Sequence, residues 1–155
     1  MGRVTRVVVW MASVSMVVAS VAGCAMFRGE PPAPAPSTYK QLGGREGIAT
    51  IMDDFVANVM ADNRINERFK GLQPAQVAKF KSNLADQICD ATGGPCAYLG
   101  RDMKTVHAGM KISDAEWNAT VEALVKALDK NNVSANAKAS LLDALGPMKA
   151  EIVGQ

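Results

Sequence analysis

The sequence predicts an all-α domain, and three observations carry that reading. Of its 155 residues, 48% are hydrophobic, mostly Ala, Val, Leu and Met, and only 5% are aromatic, a palette that leans helical. Apolar residues return every three or four positions in four long stretches. No stretch alternates convincingly over five or more residues, as a half-buried strand would. This apolar content excludes a disordered chain, and the length allows one domain or at most two.

The first element is an address. Met1 to Arg6 carries two arginines and no acid, and Val7 to Ala22 is a 16-residue apolar run softened by serines. A membrane-spanning helix needs about 20 apolar residues, so the layout reads as a signal peptide. The run ends in Val21-Ala22-Gly23-Cys24, which resembles the bacterial lipobox. That resemblance implies removal of residues 1–23 and lipid on the Cys24 sulfur, with sorting to the outer membrane, facing the periplasm. Two or more acyl chains, at about 0.8 kcal/mol per buried methylene, anchor a protein stably. Residues 24–36 then form a tether, since Glu30 to Ser37 (EPPAPAPS) favours stiff polyproline II. The folded domain is expected over 37–155.

A short helix around Tyr39 to Leu42 is broken by Gly43-Gly44. Ile48, Ile51, Met52, Phe55, Val59 and Met60 form one face of the next helix. Pro74 suits a first helical turn, and Val77, Phe80, Leu84 and Ile88 make a stripe that Gly93-Gly94-Pro95 ends. A short helix at about Met103 to Ala108 follows. Ser113-x-x-Glu116 is a capping box for a helix with Trp117, Val121, Leu124, Val125 and Leu128 inward. Ser134 starts a last helix through Leu141, Leu142, Leu145, Met148 and Ile152, bent at Gly146-Pro147.

The chemistry is narrowed by scarcity. Net charge is +2 and near zero once Arg3 and Arg6 are set aside, which argues against general nucleic-acid binding. The three cysteines form no Cys-x-x-Cys pair and the single histidine allows no histidine cluster, so structural zinc and c-type haem attachment are excluded. The LGGREG run has neither a preceding strand nor a following Lys-Ser/Thr, so it is not a phosphate loop. A Cys–His nucleophilic dyad lacks any orienting group. A plain bundle would bury its stripes against one another. It would not need the glycine-rich segment from Gly93 to Met110, with His107 on a short element among Met103, Val106, Met110 and Ile112.

Five stretches resemble the group 1 truncated haemoglobins, short globins with a two-over-two helical sandwich: LGGREGI (42–48), DDFVANVMAD (53–62), RFKG (68–71), CDATGGPCAYLGRDMK (89–104) and HAGMKIS (107–113). The Tyr-x-Gly-x-x-Met-Lys-x-x-His run, from Tyr98 to His107, is the specific part. The resemblance covers Tyr39 to Val153 and implies haem b at a five-coordinate iron that binds oxygen, nitric oxide or carbon monoxide. It makes His107 the proximal ligand, Phe69 a packing residue on the haem face, Phe55 a core position and Tyr98 part of the segment before the proximal helix. Lys81, Lys104 and Arg101 are candidates for the propionates. A globin histidine is neutral and gives its other ring N–H to a carbonyl, which the end of a short helix can supply.

The distal side departs from the family. Many members place a tyrosine after the second-helix phenylalanine and a glutamine on the fourth helix. Here those positions are Val56, following Phe55, and Phe80 and Leu84, all apolar; Asn83 and Gln87 are the nearby donors. Cys89 and Cys96 are open to two readings, a disulfide outside the cytoplasm or a buried thiol with an incidental partner. Two functions compete: a gas-binding globin serving oxygen transport, storage, sensing or nitric oxide detoxification, and a haem-free lipoprotein acting as a structural or interaction module. Nitric oxide dioxygenase turnover would need an external electron donor, because no flavin- or nicotinamide-binding segment is present, and enzyme status stays undecided.

Overall fold

A computed structural model describes residues 35–155; the expected signal peptide, Cys24 and most of the tether lie outside the described residues. Seven α-helices follow in order: α1 (Thr38–Gln41), α2 (Gly44–Ala61), α3 (Pro74–Ala91), α4 (Met103–His107), α5 (Asp114–Lys130), α6 (Ala135–Leu145) and α7 (Lys149–Ile152). Two 3-10 segments, Asn66–Phe69 and Gly146–Met148, join α2 to α3 and α6 to α7. Helix α2 packs on α3 and α5, α6 packs on α1 and α3, and α4 meets α7, so α2 and α3, packed on each other, lie over α5 and α6 respectively.

The local signals explain the boundaries. Gly43 and Gly44 take φ of 85° and 66°, the left-handed region that glycine enters without a Cβ penalty, and turn α1 into α2. Pro74 opens α3, inside a capping box that Gln73 and Gln76 supply, a pairing the sequence reading did not anticipate. The Ser113–Glu116 box opens α5 as expected. At the far end of α3, Gly94 runs so close to its neighbours that a Cβ would lie 2.5 Å from the Tyr39 ring and 2.6 Å from the Cys89 sulfur. The last helix is interrupted at Gly146-Pro147, where proline has no N–H to continue the ladder.

The core centres on a closed seam between α2 and α5. Ile48, Met52, Val56 and Val59 are buried from one side and Ala119, Ala123, Ala127 and Leu128 from the other. Here the expected inward face of α5 needs correction. Leu124 and Leu128 are buried, but Trp117, Val121 and Val125 are half-buried, and alanines hold the contact. Ala119, Ala123 and Ala127 recur every four residues, a smooth row on which α2 can lie close. The Asn58 side chain confirms the approach, donating to the Ala123 carbonyl at 3.0 Å.

Candidate functional site

The second apolar seam, between α3 and α4, does not close. Phe80, Leu84, Met103 and Val106 have the character of core residues yet are only half-buried, because they face a cavity of about 590 Å³. One wall is α3, from Lys79 to Gln87, and the other is the segment Ala97–Arg101 followed by α4. The size falls within the range of small-molecule and cofactor sites, roughly 300–1,000 Å³. A smaller hollow of about 220 Å³ near Leu42 and Asn131 has no titratable side chain in its lining.

His107 stands in the cavity wall as the last residue of α4. Asp102 caps the start of this five-residue helix by accepting from the Thr105 amide at 2.8 Å. Hydrogen bonding from the Thr105 side chain and amide holds the Asp102 carboxyl below its ordinary pKa. Within α4 the His107 Nδ1 lies 2.7 Å from the Met103 carbonyl. A carbonyl can only accept, so Nδ1 carries the hydrogen, the tautomer in which a neutral imidazole has its lone pair on Nε2. Among the described residues no group of three or more His, Cys, Asp or Glu side chains could hold a metal ion. One oriented imidazole beside an apolar cleft suits a metal whose remaining ligands arrive with a flat organic group. The donor set and the walls therefore fit haem.

The structure gathers some of the expected residues and separates others. Phe80, Leu84, Tyr98 and His107 share the cavity. Phe69 stands behind Phe80, ring centres 5.5 Å apart and planes tilted by 40°. Phe55 and Val56 lie in the buried core and are not in the lining. Lys81 is turned toward α2, where it pairs with Asp53 at 2.8 Å, and exposed Lys104 is outside the lining. The cations that do face the cavity are Arg101, one of the expected candidates, and Lys79, the residue directly before Phe80 of the stripe. Lys79 is not legible from the sequence, because periodicity marks apolar faces and says little about which flanking lysine overhangs them. Gln87 is engaged: its Nε2 lies 3.4 Å from the sulfurs of both Met103 and Met148.

The wall opposite α3 is stapled. Cys89, fully buried in α3, is joined by a disulfide to Cys96, which resolves the two readings of this pair. The Arg45 guanidinium lies 3.1 Å from the Cys96 sulfur and bridges to Asp86 at 2.8 Å. Beyond the staple, the Tyr98 amide donates to Asp90 at 3.1 Å and its hydroxyl to the Arg101 carbonyl at 3.0 Å, giving the segment a defined shape.

Comparison with known proteins points the same way. Residues 37–153 match the family described as bacterial-like globin. The group 1 truncated hemoglobin of Mycolicibacterium paratuberculosis is 30% identical over 128 residues, covering 83% of this chain and 90% of that protein. That of Tetrahymena thermophila is 28% identical over 99 residues, covering 64% and 79%. Among solved structures, the truncated hemoglobin of Tetrahymena pyriformis in its Fe(III) form superposes with a TM-score of 0.72 at 22% identity, covering 77% of this chain and all of that one. The 2/2 hemoglobin of Synechococcus, solved in the cyanomet state with covalently attached heme, gives 0.69 at 27% identity, covering 76% and 98%. The family match, the two-over-two arrangement and the open cleft beside His107 lead to one assignment: this chain belongs to the bacterial-like globin family and is a haem-binding globin.

Proposed function

We propose that the cleft takes haem b, with His107 Nε2 as its one protein ligand, and that the protein reversibly binds oxygen, nitric oxide or carbon monoxide. The single observation that carries this is the 2.7 Å contact from His107 Nδ1 to the Met103 carbonyl, which presents a fixed donor to an apolar cavity. When bound, the haem supplies an iron with a free position for a diatomic ligand. The chain's own part is to hold and shelter it. Met103 fixes the imidazole plane, Phe80 and Leu84 exclude water, and Lys79 and Arg101 offer charge to carboxylates at the cavity mouth. Phe80 and Leu84 leave a polarised ligand with few donors in the lining, where Gln87 is already engaged and the Asn83 side chain makes no hydrogen bond among the described residues.

The leader-like first 23 residues and the lipobox resemblance support a domain outside the cytoplasm. Lipid on Cys24 would hold it at the bacterial membrane, the outer membrane by the residues that follow, and the disulfide is compatible with an oxidising compartment. Nitric oxide oxidation would draw electrons from a separate donor. Mixing the purified protein with haemin tests the proposal: a Soret band at one haem per chain, shifting on reduction and again on adding carbon monoxide, is the expected result. A folded protein that leaves the haemin spectrum unchanged would favour the haem-free module. For the anchor, Cys24→Ser should abolish the lipid mass and membrane partitioning, whereas an unmodified Cys24 in the native membrane fraction would end that part.

A further inference from the structure

We propose that Arg68 is a positioning residue for the proximal imidazole, a strap that runs from the Phe69 side of the cleft to the turn beyond His107. The inference rests on the haem reading above and concerns how His107 is held. Arg68 belongs to the 3-10 segment Asn66–Phe69, whose last residue packs on Phe80 of the α3 wall. Its guanidinium reaches across 42 residues of sequence, with Nη1 donating to the Met110 carbonyl at 2.6 Å. The same group grips Glu116, through Nε at 2.8 Å and Nη2 at 2.7 Å. Arginine suits this task because its planar fork serves two acceptors in fixed geometry, which a lysine ammonium cannot.

The turn it holds has little else to define it on that side. The Met110 amide donates to the His107 carbonyl at 3.0 Å, so Met110 closes α4 at one face while its own carbonyl takes the Arg68 bond. Gly109 and Lys111 on either side have φ of 79° and 49°, left-handed conformations, and for Lys111 an uncommon one that its surroundings must enforce. Further clamps meet there, among them the Lys111 amide, which donates to the Gln155 carbonyl at 2.5 Å. The Ile112 carbonyl accepts from the Gly154 amide at 2.9 Å, and Glu116 accepts from the Ser113 amide at 2.9 Å and hydroxyl at 2.8 Å. Of these clamps, only Arg68 comes from the segment that carries Phe69. Its loss leaves α4 tied to the C-terminus and to α5 but uncoupled from the face that carries Phe69.

The test compares wild type, Arg68→Ala and Arg68→Lys, first without haem and then with haemin. In the haem-free protein, exchange of the Met110 amide should accelerate about ten-fold in Arg68→Ala and less in Arg68→Lys. With haem, the ferrous iron–histidine stretching frequency should shift and haemin loss should quicken several-fold, again partly restored by lysine. Unchanged exchange and an unchanged iron–histidine frequency in Arg68→Ala would overturn the proposal while leaving haem binding intact. A wild type that takes no haem would instead defeat the reading beneath it, and the exchange data would still judge the strap. If Arg68→Ala does not fold, Arg68→Lys carries the decision alone.

Discussion

The two apolar seams of this domain use similar residues to different ends. Between α2 and α5, Ile48, Met52, Val59 and Leu128 are within a few per cent of complete burial, and alanines bring the helices together. Between α3 and α4, Phe80, Leu84, Met103 and Val106 are half-exposed around about 590 Å³ of open space. Each large apolar side chain forgoes some of the roughly 1.5–3 kcal/mol that full burial would contribute. The difference fits a second seam that a cofactor completes, and it teaches that an apolar stripe alone does not say which kind of seam it will build.

Truncations should separate the seams most sharply. Leu128→Ala removes a fully buried side chain from the closed seam and should destabilise the haem-free protein by about 2–5 kcal/mol. Leu84→Ala, which already faces open space, should cost distinctly less without haem and weaken haem retention instead. Urea unfolding of both variants, with and without haemin, checks this; equal costs without haem would break the comparison. Next in size is the staple. Cys96→Ser opens a short loop whose closure contributes roughly 2–3 kcal/mol by chain entropy, and it frees the Ala97–Arg101 wall. Thermal melts under non-reducing conditions should show the loss, with faster haemin dissociation.

A smaller effect probes the distal side. Leu84→Gln puts a donor into the lining, and a hydrogen bond to a partly anionic ligand is worth roughly 1–3 kcal/mol. Oxygen dissociation should slow several-fold while carbon monoxide changes little. Stopped-flow rates that stay equal for oxygen would show that Leu84 is not on the ligand side. Val56→Tyr is the less direct probe, since Val56 is fully buried and a tyrosine there would overpack the core.

The smallest effect is electrostatic. Glu116 has its carboxyl lowered from an ordinary 4.5 to about 2, first by the Ser113 amide and hydroxyl and then by Arg68. A carboxyl depressed on folding stabilises most where it is ionised in both states, so its contribution is whole above pH 4.5. It drains away as pH falls from there toward 2. Glu116→Gln should flatten that part of the stability profile, and a mutant that keeps the wild-type slope would contradict the assignment.

Legibility followed range. Ser113 and Glu116, Pro74, the Gly43-Gly44 turn and the short helix ending at His107 announce themselves within a few residues, and the structure has each of them. Five of the expected site residues, Phe80, Leu84, Tyr98, Arg101 and His107, meet at the cavity for the same reason, being neighbours on α3 or within the Tyr98–His107 run. Side-chain partnerships between distant segments were not legible. Nothing local says that Lys81 turns to Asp53, that Lys79 faces the cavity, or that Arg68 reaches Met110. The alanine row of α5 was hidden for another reason: apolar periodicity weights large residues, whereas close helix packing selects small ones.

The central claim is that the open seam is completed by haem held through His107, and a haemin titration of wild type against His107→Gly tests it most directly. The account predicts a saturable Soret band at one haem per chain for wild type. It predicts a binding loss of at least ten-fold for the glycine variant and recovery when free imidazole is added to fill the vacated space. A glycine variant that binds haemin with wild-type affinity and an unchanged spectrum would contradict it.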